Sequence, residues 1–280
     1  MIIVIFDATK SVHLYKNKSM VLKTRSIGLV LSGGGSKGIA QAGAIKFLEE
    51  QNIRPTQIAG TSAGSIVGAL YAFGKTPEEI LEFFQSIYIF HWKHFTFKKA
   101  GFIDSHSFKS YFNNIFQEAA LGDLKIQTHI TATDMVNGTL KIFDAKTKIV
   151  DAILASSAFP GVLSPYEFEG NLYSDGGILN HFPTDIIKGK CETLIGVYVS
   201  PIQKIQAKDL TSIKAVTTRA FDLLSENSNA QKFYNCDWII APKELSNYST
   251  FETNKSKMKA IYAIGYNEAE KSYSQLISKK

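Results

Sequence analysis

Cysteine is scarce in this chain. Cys191 and Cys236 are the only two among 280 residues, and neither lies in a spacing typical of metal ligands. A disulfide framework is therefore not expected, and a reducing, cytoplasmic location fits the composition. No apolar run approaches the length that spans a membrane. The apolar start of the chain is broken by Asp7 and has no basic residues before it, which argues against a signal peptide.

Basic residues outnumber acidic residues by a small margin. Lys and Arg total 31 and Asp and Glu total 25, so the formal net charge is 31 − 25 = +6. Such an excess favours anionic partners, either phospholipid or nucleic acid, and a solvated basic surface accounts for it equally well. Nucleic acid is not expected as a partner, because the sequence has no recognition motif and no dense basic stripe.

The length of the chain suits one large domain or two small ones. The sequence has no internal repeat and no low-complexity linker that would mark a boundary. Residues 1–26 are predicted to be a loosely attached N-terminal extension, with Met20 as an alternative start. Residues 27–280 are predicted to form a single domain, because early and late motifs are expected to meet in one site.

The order of apolar patterns predicts an α/β fold. A strand at 27–31, a glycine-rich loop at 32–38, a helix at 39–51 and a strand at 57–59 open the chain as β-α-β. A helix then ends at Gly74, and Thr76, Pro77 and Glu79 form the capping signal of the next one. Further strand-like runs lie at 127–133, 140–143, 193–199 and 238–240, and helical patterns at 106–119, 149–156, 209–233 and 255–277. This order is typical of a largely parallel sheet with helices on its faces.

A serine lies in a pentapeptide of the form G-x-S-x-G. Residues 60–64 read Gly-Thr-Ser-Ala-Gly and stand between a strand-like and a helix-like stretch. A tight turn there lifts the hydroxyl of Ser62 clear of the sheet, and Gly60 and Gly64 let the backbone bend without a Cβ clash. A serine held in this way is a candidate nucleophile, although the pentapeptide alone is weak evidence.

The glycine-rich loop has exposed backbone amides at the start of a helix. It consists of Gly33, Gly34, Gly35, Ser36, Lys37 and Gly38. A phosphate loop would need Lys after the last glycine, where Ile39 stands, and a dinucleotide site would need an acidic residue about twenty positions on. We therefore interpret the loop as an oxyanion hole, with the amides of Gly34 and Gly35 facing the developing charge.

A serine nucleophile needs a base, and the sequence offers two candidates. His181 is the one histidine near another motif, and the order Ser62, Asp175, His181 matches that of a hydrolase triad. Six residues is a short gap for an acid and a base from separate loops, so we favour Asp175. It follows a strand-like run and precedes Gly176 and Gly177, which predict a tight exposed turn.

Taken together, these motifs resemble those of the patatin-like phospholipase family. The resemblance rests on 33–38, 60–64 and 175–177, with 155–160 and 164–165 similar to the segment before the family's aspartate, and it covers about residues 27–200 without a departure at a motif position. It implies a three-layer α/β/α sandwich and a Ser–Asp dyad without histidine. Ser62 would then be the nucleophile and Asp175 the base, and Lys37 matches a position where the family carries Lys or Arg.

The sequence therefore predicts a serine hydrolase that cleaves lipid esters, of phospholipase A or lysophospholipase type. It implies no metal, no organic cofactor and no particular protein partner. Two alternatives stay open: a histidine-dependent esterase or acyltransferase on another α/β fold, and a non-catalytic protein that binds lipid or anions. The aromatic and basic stretch at 83–102 is either a lid, a surface that contacts an anionic membrane from one side, or part of the core.

Overall fold

A computed structural model of the chain describes residues 26–94, 108–202, 204–229 and 231–278. The predicted N-terminal extension therefore lies outside the described residues, apart from Ser26. Among the described residues, no helix combines the length and the apolar character that crossing a bilayer requires.

Eight strands and nine helices are found in the described part of the chain. The strands are β1 Ile27–Leu31, β2 Gln57–Thr61, β3 Gln127–Asp134, β4 Thr139–Ile142, β5 Tyr166–Phe168, β6 Asn171–Asp175, β7 Thr193–Val197 and β8 Trp238–Ile240. The helices are α1 Ile39–Glu50, α2 Ala63–Phe73, α3 Pro77–His94, α4 Lys109–Phe116, α5 Ile149–Ser156, α6 Gly177–Asn180, α7 Thr184–Ile187, α8 Ile213–Asn229 and α9 Lys255–Ser278.

Most of these elements were predicted from the sequence, including β1 and α5 at their observed bounds. The capping signal before α3 is confirmed, because the amide of Thr76 donates to Glu79 at 2.8 Å and the amide of Glu79 donates to the Thr76 hydroxyl at 3.2 Å. Of the hairpin of β5 and β6, only β6 was predicted. Strand β5 is three residues long, which is too short for an alternation of apolar and polar residues to show. Helix α8 is shorter than predicted at both ends.

The central sheet is mostly parallel. Strands β8, β7, β1, β2 and β3 lie side by side in that order and run in the same direction. Strands β4 and β6 pair antiparallel with β3, and β5 pairs antiparallel with β6. The prediction of a largely parallel sheet is confirmed, and the antiparallel part is confined to one end.

Helices cover both faces of the sheet. Successive residues of its strands point to opposite faces, and the apolar side chains on both faces are buried. Leu29 and Leu31 of β1 belong to the larger core, where α1 and α9 pack. Val30, between them, points to the other face and packs with Phe182 and Ile187 near α7. The fold is therefore the predicted three-layer α/β/α sandwich.

Helix α3 contains the first part of the aromatic and basic stretch at 83–102, whose role the sequence did not decide. Phe83 and Phe84 are 9% and 1% exposed and belong to the larger core. The core interpretation is thus correct for this part of the stretch. The side chains from Tyr88 onward lie outside the described residues, so the lid and membrane interpretations of 88–102 stay predictions.

The sheet brings two distant chain segments together along one edge of β3. Thr131 pairs with Thr61 of β2 on one edge and with Ile142 of β4 on the other. The next residue, Ala132, pairs with Asp175 of β6. Because β4 occupies the second edge, β6 must lie on the edge of β2, and the two strands end facing each other. The residues that follow these ends form the candidate site.

Candidate active site

Ser62 occupies a sharp turn between β2 and α2. Its φ of 54° and ψ of −123° lie in a region that non-glycine residues rarely adopt, at a cost of about 1–3 kcal/mol. Close packing explains both flanking glycines. A Cβ on Gly60 would meet the backbone of Gly64, and one on Gly64 would meet the carbonyl oxygen of Leu31. The strand-turn-helix arrangement therefore matches the one predicted for the pentapeptide.

Asp175 lies within hydrogen-bonding distance of this serine. The Ser62 hydroxyl donates to Oδ2 of Asp175 at 2.6 Å, and the amide of Gly177 donates to Oδ1 at 2.8 Å. The carboxylate is 1% exposed. Burial raises its pKa to about 6, against the lowering effect of the two hydrogen bonds. A carboxylate with a pKa near neutrality is suited to accept a proton from a serine hydroxyl.

The six loop residues predicted as an oxyanion hole have different roles in the structure. The amide of Gly33 donates to the carbonyl of His181 at 3.0 Å, that of Ser36 to Thr250 at 2.9 Å and that of Lys37 to Gly34 at 3.1 Å. Gly38 allows close packing, because a Cβ there would lie 2.8 Å from Cβ of Ala63. Within the described residues, the amides of Gly34 and Gly35 have no acceptor. The candidate hole therefore narrows to these two.

Two glycines of the loop have backbone angles that side chains avoid. Gly34 has a φ of 157° and Gly35 a φ of 57°. A Cβ on Gly34 would lie 2.7 Å from Val199, and one on Gly35 would meet the backbone oxygen of Thr250. A short 3₁₀ turn from Gly35 to Gly38 leads directly into α1. The free amides therefore lie at the positive end of a helix, where negative charge is stabilised.

Replacing Gly34 by Ala is expected to reduce kcat far more than it changes KM. The added Cβ shifts the amide that would face the oxyanion, and loss of one such donor costs about 10²–10³ in kcat. Gly189→Ala is the matched control, because Gly189 also has a positive φ of 77° but no neighbour within 4 Å. A change in KM alone would show that the loop binds substrate without stabilising the transition state.

Lys37 adds a buried cation beside these amides. Its side chain is 7% exposed. Burial lowers the pKa of its ammonium group, and the negative charge of Asp222 partly opposes this effect.

His181 lies next to the dyad but is bonded to neither member. Its ring is 6% exposed, and both ring nitrogens lack a hydrogen-bond partner among the described residues. A Cβ built on Gly33 or on Gly177 would lie 2.9 Å from Nδ1 of this ring. Burial, with a contribution from Lys232, lowers the pKa of His181 to about 4. The imidazole is therefore neutral and fills the space between the loop and the turn after Asp175.

The variant His181→Ala is expected to retain turnover within about tenfold of the parent, since a lost general base costs about 10²–10⁴. The backbone carbonyl that holds Gly33 is kept, whereas the lost ring leaves a cavity and lowers Tm. Steady-state kinetics on a soluble ester, with Tm measured in parallel, tests this. A loss of about 10²-fold or more in a folded variant would favour the histidine-dependent alternative.

Sequence reasoning missed residues that stabilise the site through hydrogen bonds between segments far apart in the sequence. The hydroxyl of Ser156 accepts the amide of Ser62 at 2.9 Å, and its carbonyl accepts the amide of Gly176 at 3.2 Å. The hydroxyl of Ser36 donates to the carbonyl of Thr250 at 3.0 Å. Ser156 lies in the segment that resembles the family, and this was its one sequence signal. Thr250 has none.

The fold and the site define an α/β protein in which a serine at a strand-helix turn is paired with a buried aspartate. The model of the patatin-like phospholipase family matches residues 29–188, which include both of these residues and the glycine loop. The chain belongs to this family.

The relatives are much longer than this chain, and each is similar to it over a small part of its own length. The lysophospholipase NTE1 of Scheffersomyces stipitis is 27% identical over 96% of this chain and 19% of its own length. The lysophospholipase NTE1 of Saccharomyces cerevisiae is 31% identical over 67% of this chain and 12% of its own. The chain thus spans less than a fifth of these two relatives.

A solved structure has the same fold. VipD from Legionella pneumophila superposes with a TM-score of 0.51 at 15% identity, covering 89% of this chain and 67% of VipD.

Proposed function

We propose that this protein is a serine hydrolase that cleaves lipid esters, of phospholipase A or lysophospholipase type. The observation that carries the proposal is the 2.6 Å hydrogen bond from the Ser62 hydroxyl to Asp175. Membership of the patatin-like phospholipase family and the names of the relatives support the lipid substrate.

In the proposed reaction Ser62 Oγ attacks the acyl carbonyl carbon while Asp175 takes its proton. The amides of Gly34 and Gly35 stabilise the negative charge on the carbonyl oxygen. Collapse of this intermediate breaks the ester bond, and Asp175 gives the proton to the leaving alkoxide. Water then attacks the acyl-enzyme, with Asp175 as base again, and releases the fatty acid and the free serine.

Three phenyl rings next to the dyad favour an apolar acyl chain. The ring of Phe159 lies 4.8 Å from that of Phe221 and 6.0 Å from that of Phe251. Two of the rings adjoin residues that bond to the site. Phe159 follows Ala158, whose carbonyl accepts the amide of Asp175, and Phe251 follows Thr250, whose carbonyl accepts the amide of Ser36. We propose that these partly exposed rings, which we call the aromatic wall, contact the acyl chain.

Contact with an anionic membrane is the second part of the proposal. A lipid esterase must reach substrate in a bilayer, and a net charge of +6 favours an anionic surface. The aromatic and basic stretch at 88–102 is one candidate contact from the sequence. Replacing Trp92 and Phe95 by Ser would test it through vesicle binding.

Reaction with a fluorophosphonate probe separates an enzyme from a protein that merely binds lipid or anions. We expect the probe to label Ser62, identified by mass spectrometry of the labelled peptide. A panel of phospholipid, lysophospholipid and triacylglycerol would then define the substrate. A folded chain that neither reacts with the probe nor hydrolyses any ester in the panel would contradict the proposal.

A further inference from the structure

Helix α8 exposes an apolar stripe to solvent. Ile213, Val216, Leu223 and Leu224 are 87%, 50%, 47% and 71% exposed. Their spacing places them on one side of the helix, the pattern that usually faces a core. No described residue covers this side, so its burial requires something outside the described chain.

The side of α8 next to the stripe belongs to the candidate active site, because Phe221 and Leu224 are three residues apart and are neighbours on the helix surface. The ring of Phe221, part of the aromatic wall, lies 6.5 Å from that of His181. The hydroxyl of Ser225 donates to the carbonyl of Gly177 at 3.4 Å, directly after Asp175. One helix thus carries part of the aromatic wall and, next to it, the exposed apolar stripe.

Helix α6 adds exposed apolar side chains close to Asp175. It begins two residues after Asp175 and packs against α8. Its Ile178 and Leu179 are 36% and 44% exposed. We name the stripe of α8 together with these two residues the α8 face.

Positive charge lies at the start of the α8 face. Lys204 and Lys208 are exposed in the segment that leads into the helix, and together with the exposed carboxylate of Asp209 they carry a net charge of +1. An apolar helix side flanked by lysines is the arrangement of helices that lie in the headgroup region of an anionic bilayer. This charge favours a lipid surface over a second copy of the same basic chain.

We propose that the α8 face docks on anionic phospholipid and turns the candidate active site toward the bilayer. The proposal rests on the proposed function, because a lipid ester substrate gives docking its purpose. It assigns the contact to a part of the chain different from 88–102. The aromatic wall then lies on the route of an acyl chain that leaves the bilayer.

The double variant Leu223→Ser/Leu224→Ser tests the apolar contact. Leu223 and Leu224 are 47% and 71% exposed, and Phe221 and Ser225 are unchanged, so the fold and the candidate site should be kept. Co-sedimentation of the full chain with vesicles of phosphatidylserine and phosphatidylcholine should show binding at least about tenfold weaker than for the parent. Turnover of a soluble short-chain ester should be unchanged. Ile277→Ser, at a 45% exposed position on α9, is the matched control and should bind as the parent does.

The double variant Lys204→Glu/Lys208→Glu tests the charge. It should weaken binding to the mixed vesicles and leave binding to phosphatidylcholine alone unchanged, and added salt should act in the same direction.

A gain-of-signal variant covers the case in which a loss variant unfolds. In Leu224→Trp, vesicles should shift the added indole emission to shorter wavelength relative to the parent.

Each outcome decides between occupants of the α8 face. Equal vesicle binding by the parent and a folded Leu223→Ser/Leu224→Ser variant, or no emission shift in Leu224→Trp, overturns the proposal. The proposal is also overturned if the parent does not bind vesicles but forms dimers, and the Leu223→Ser/Leu224→Ser variant is monomeric. If the parent binds vesicles through the α8 face but hydrolyses no ester, the proposed function fails and docking stands.

Discussion

Ser62→Ala is expected to abolish both ester hydrolysis and labelling by a fluorophosphonate. The change removes one oxygen, the proposed attacking atom, and the hydrogen bond to Asp175. Because no bond can then form between enzyme and acyl group, we expect kcat to fall by at least about 10⁴-fold. A soluble chromogenic ester gives the rate, and intact-protein mass spectrometry gives the extent of labelling.

The structure offers a matched control one turn further along the same helix. The hydroxyl of Ser65 donates to the carbonyl of Ser62 at 2.6 Å and is fully buried. Ser65→Ala removes the same atom at a position that does not face Asp175, so it should lower Tm and leave labelling at Ser62 complete. Full labelling of Ser62→Ala at another serine would contradict the assignment.

The candidate nucleophile could be predicted from the sequence because its geometry is local. A turn that forces a positive φ on Ser62 needs small residues at fixed offsets, and Gly60 and Gly64 supply them within five positions. The same holds for β1, α5 and the cap of α3, whose signals are contained in a few neighbouring residues. Patterns of this kind can be recognised in the sequence without knowledge of the rest of the fold.

The long-range contacts could not be predicted in this way. Ser156 and Ser62 are 94 residues apart, and Thr250 and Ser36 are 214 residues apart, so no spacing rule connects them. The pairing of Ala132 with Asp175 likewise depends on sheet register, which the sequence does not encode locally. The sequence therefore indicated the glycine loop as a candidate oxyanion hole, whereas the tertiary contacts decide which of its amides are free.

Helix α8 shows a further limit of sequence patterns. Periodicity predicts a helix there, but the same apolar spacing is produced by a side that packs on a core and by one that contacts lipid. The choice depends on which side the neighbouring elements cover. In this chain Phe159 packs against Phe221, and the adjoining side of the helix, with Leu224, is left exposed.

Asp175→Asn is the second change with a large expected effect. Asn keeps the shape and the acceptor for the amide of Gly177, but it cannot take a proton from Ser62. Loss of a general base costs about 10²–10⁴ in rate, so we expect kcat to fall by this amount and probe labelling to slow in parallel. An active Asp175→Asn together with an inactive His181→Ala would reverse the assignment of the base.

The pH dependence of the parent should report the same carboxylate. Its pKa is raised to about 6, mainly by burial, and it must be ionised to act as a base. The rate on a soluble ester should therefore fall as pH drops through about 6 and be constant above it. A rate that stays constant down to about pH 4, near the usual pKa of an exposed carboxyl, would show that burial does not tune this group.

Stability should change in the opposite direction to activity. The pKa of this carboxyl is 3.8 in the unfolded chain and about 6 in the folded one, so its protonated form favours folding. Stability therefore falls as pH rises from about 4 to about 6, by about 3 kcal/mol in all, and is then constant. Asn carries no charge at any of these pH values. Asp175→Asn should therefore have a higher Tm than the parent at pH 8, and the difference should shrink as pH falls from about 6 toward 4. A parent that is as stable as the variant throughout would mean that the buried charge is compensated by the hydrogen bonds from Ser62 and Gly177.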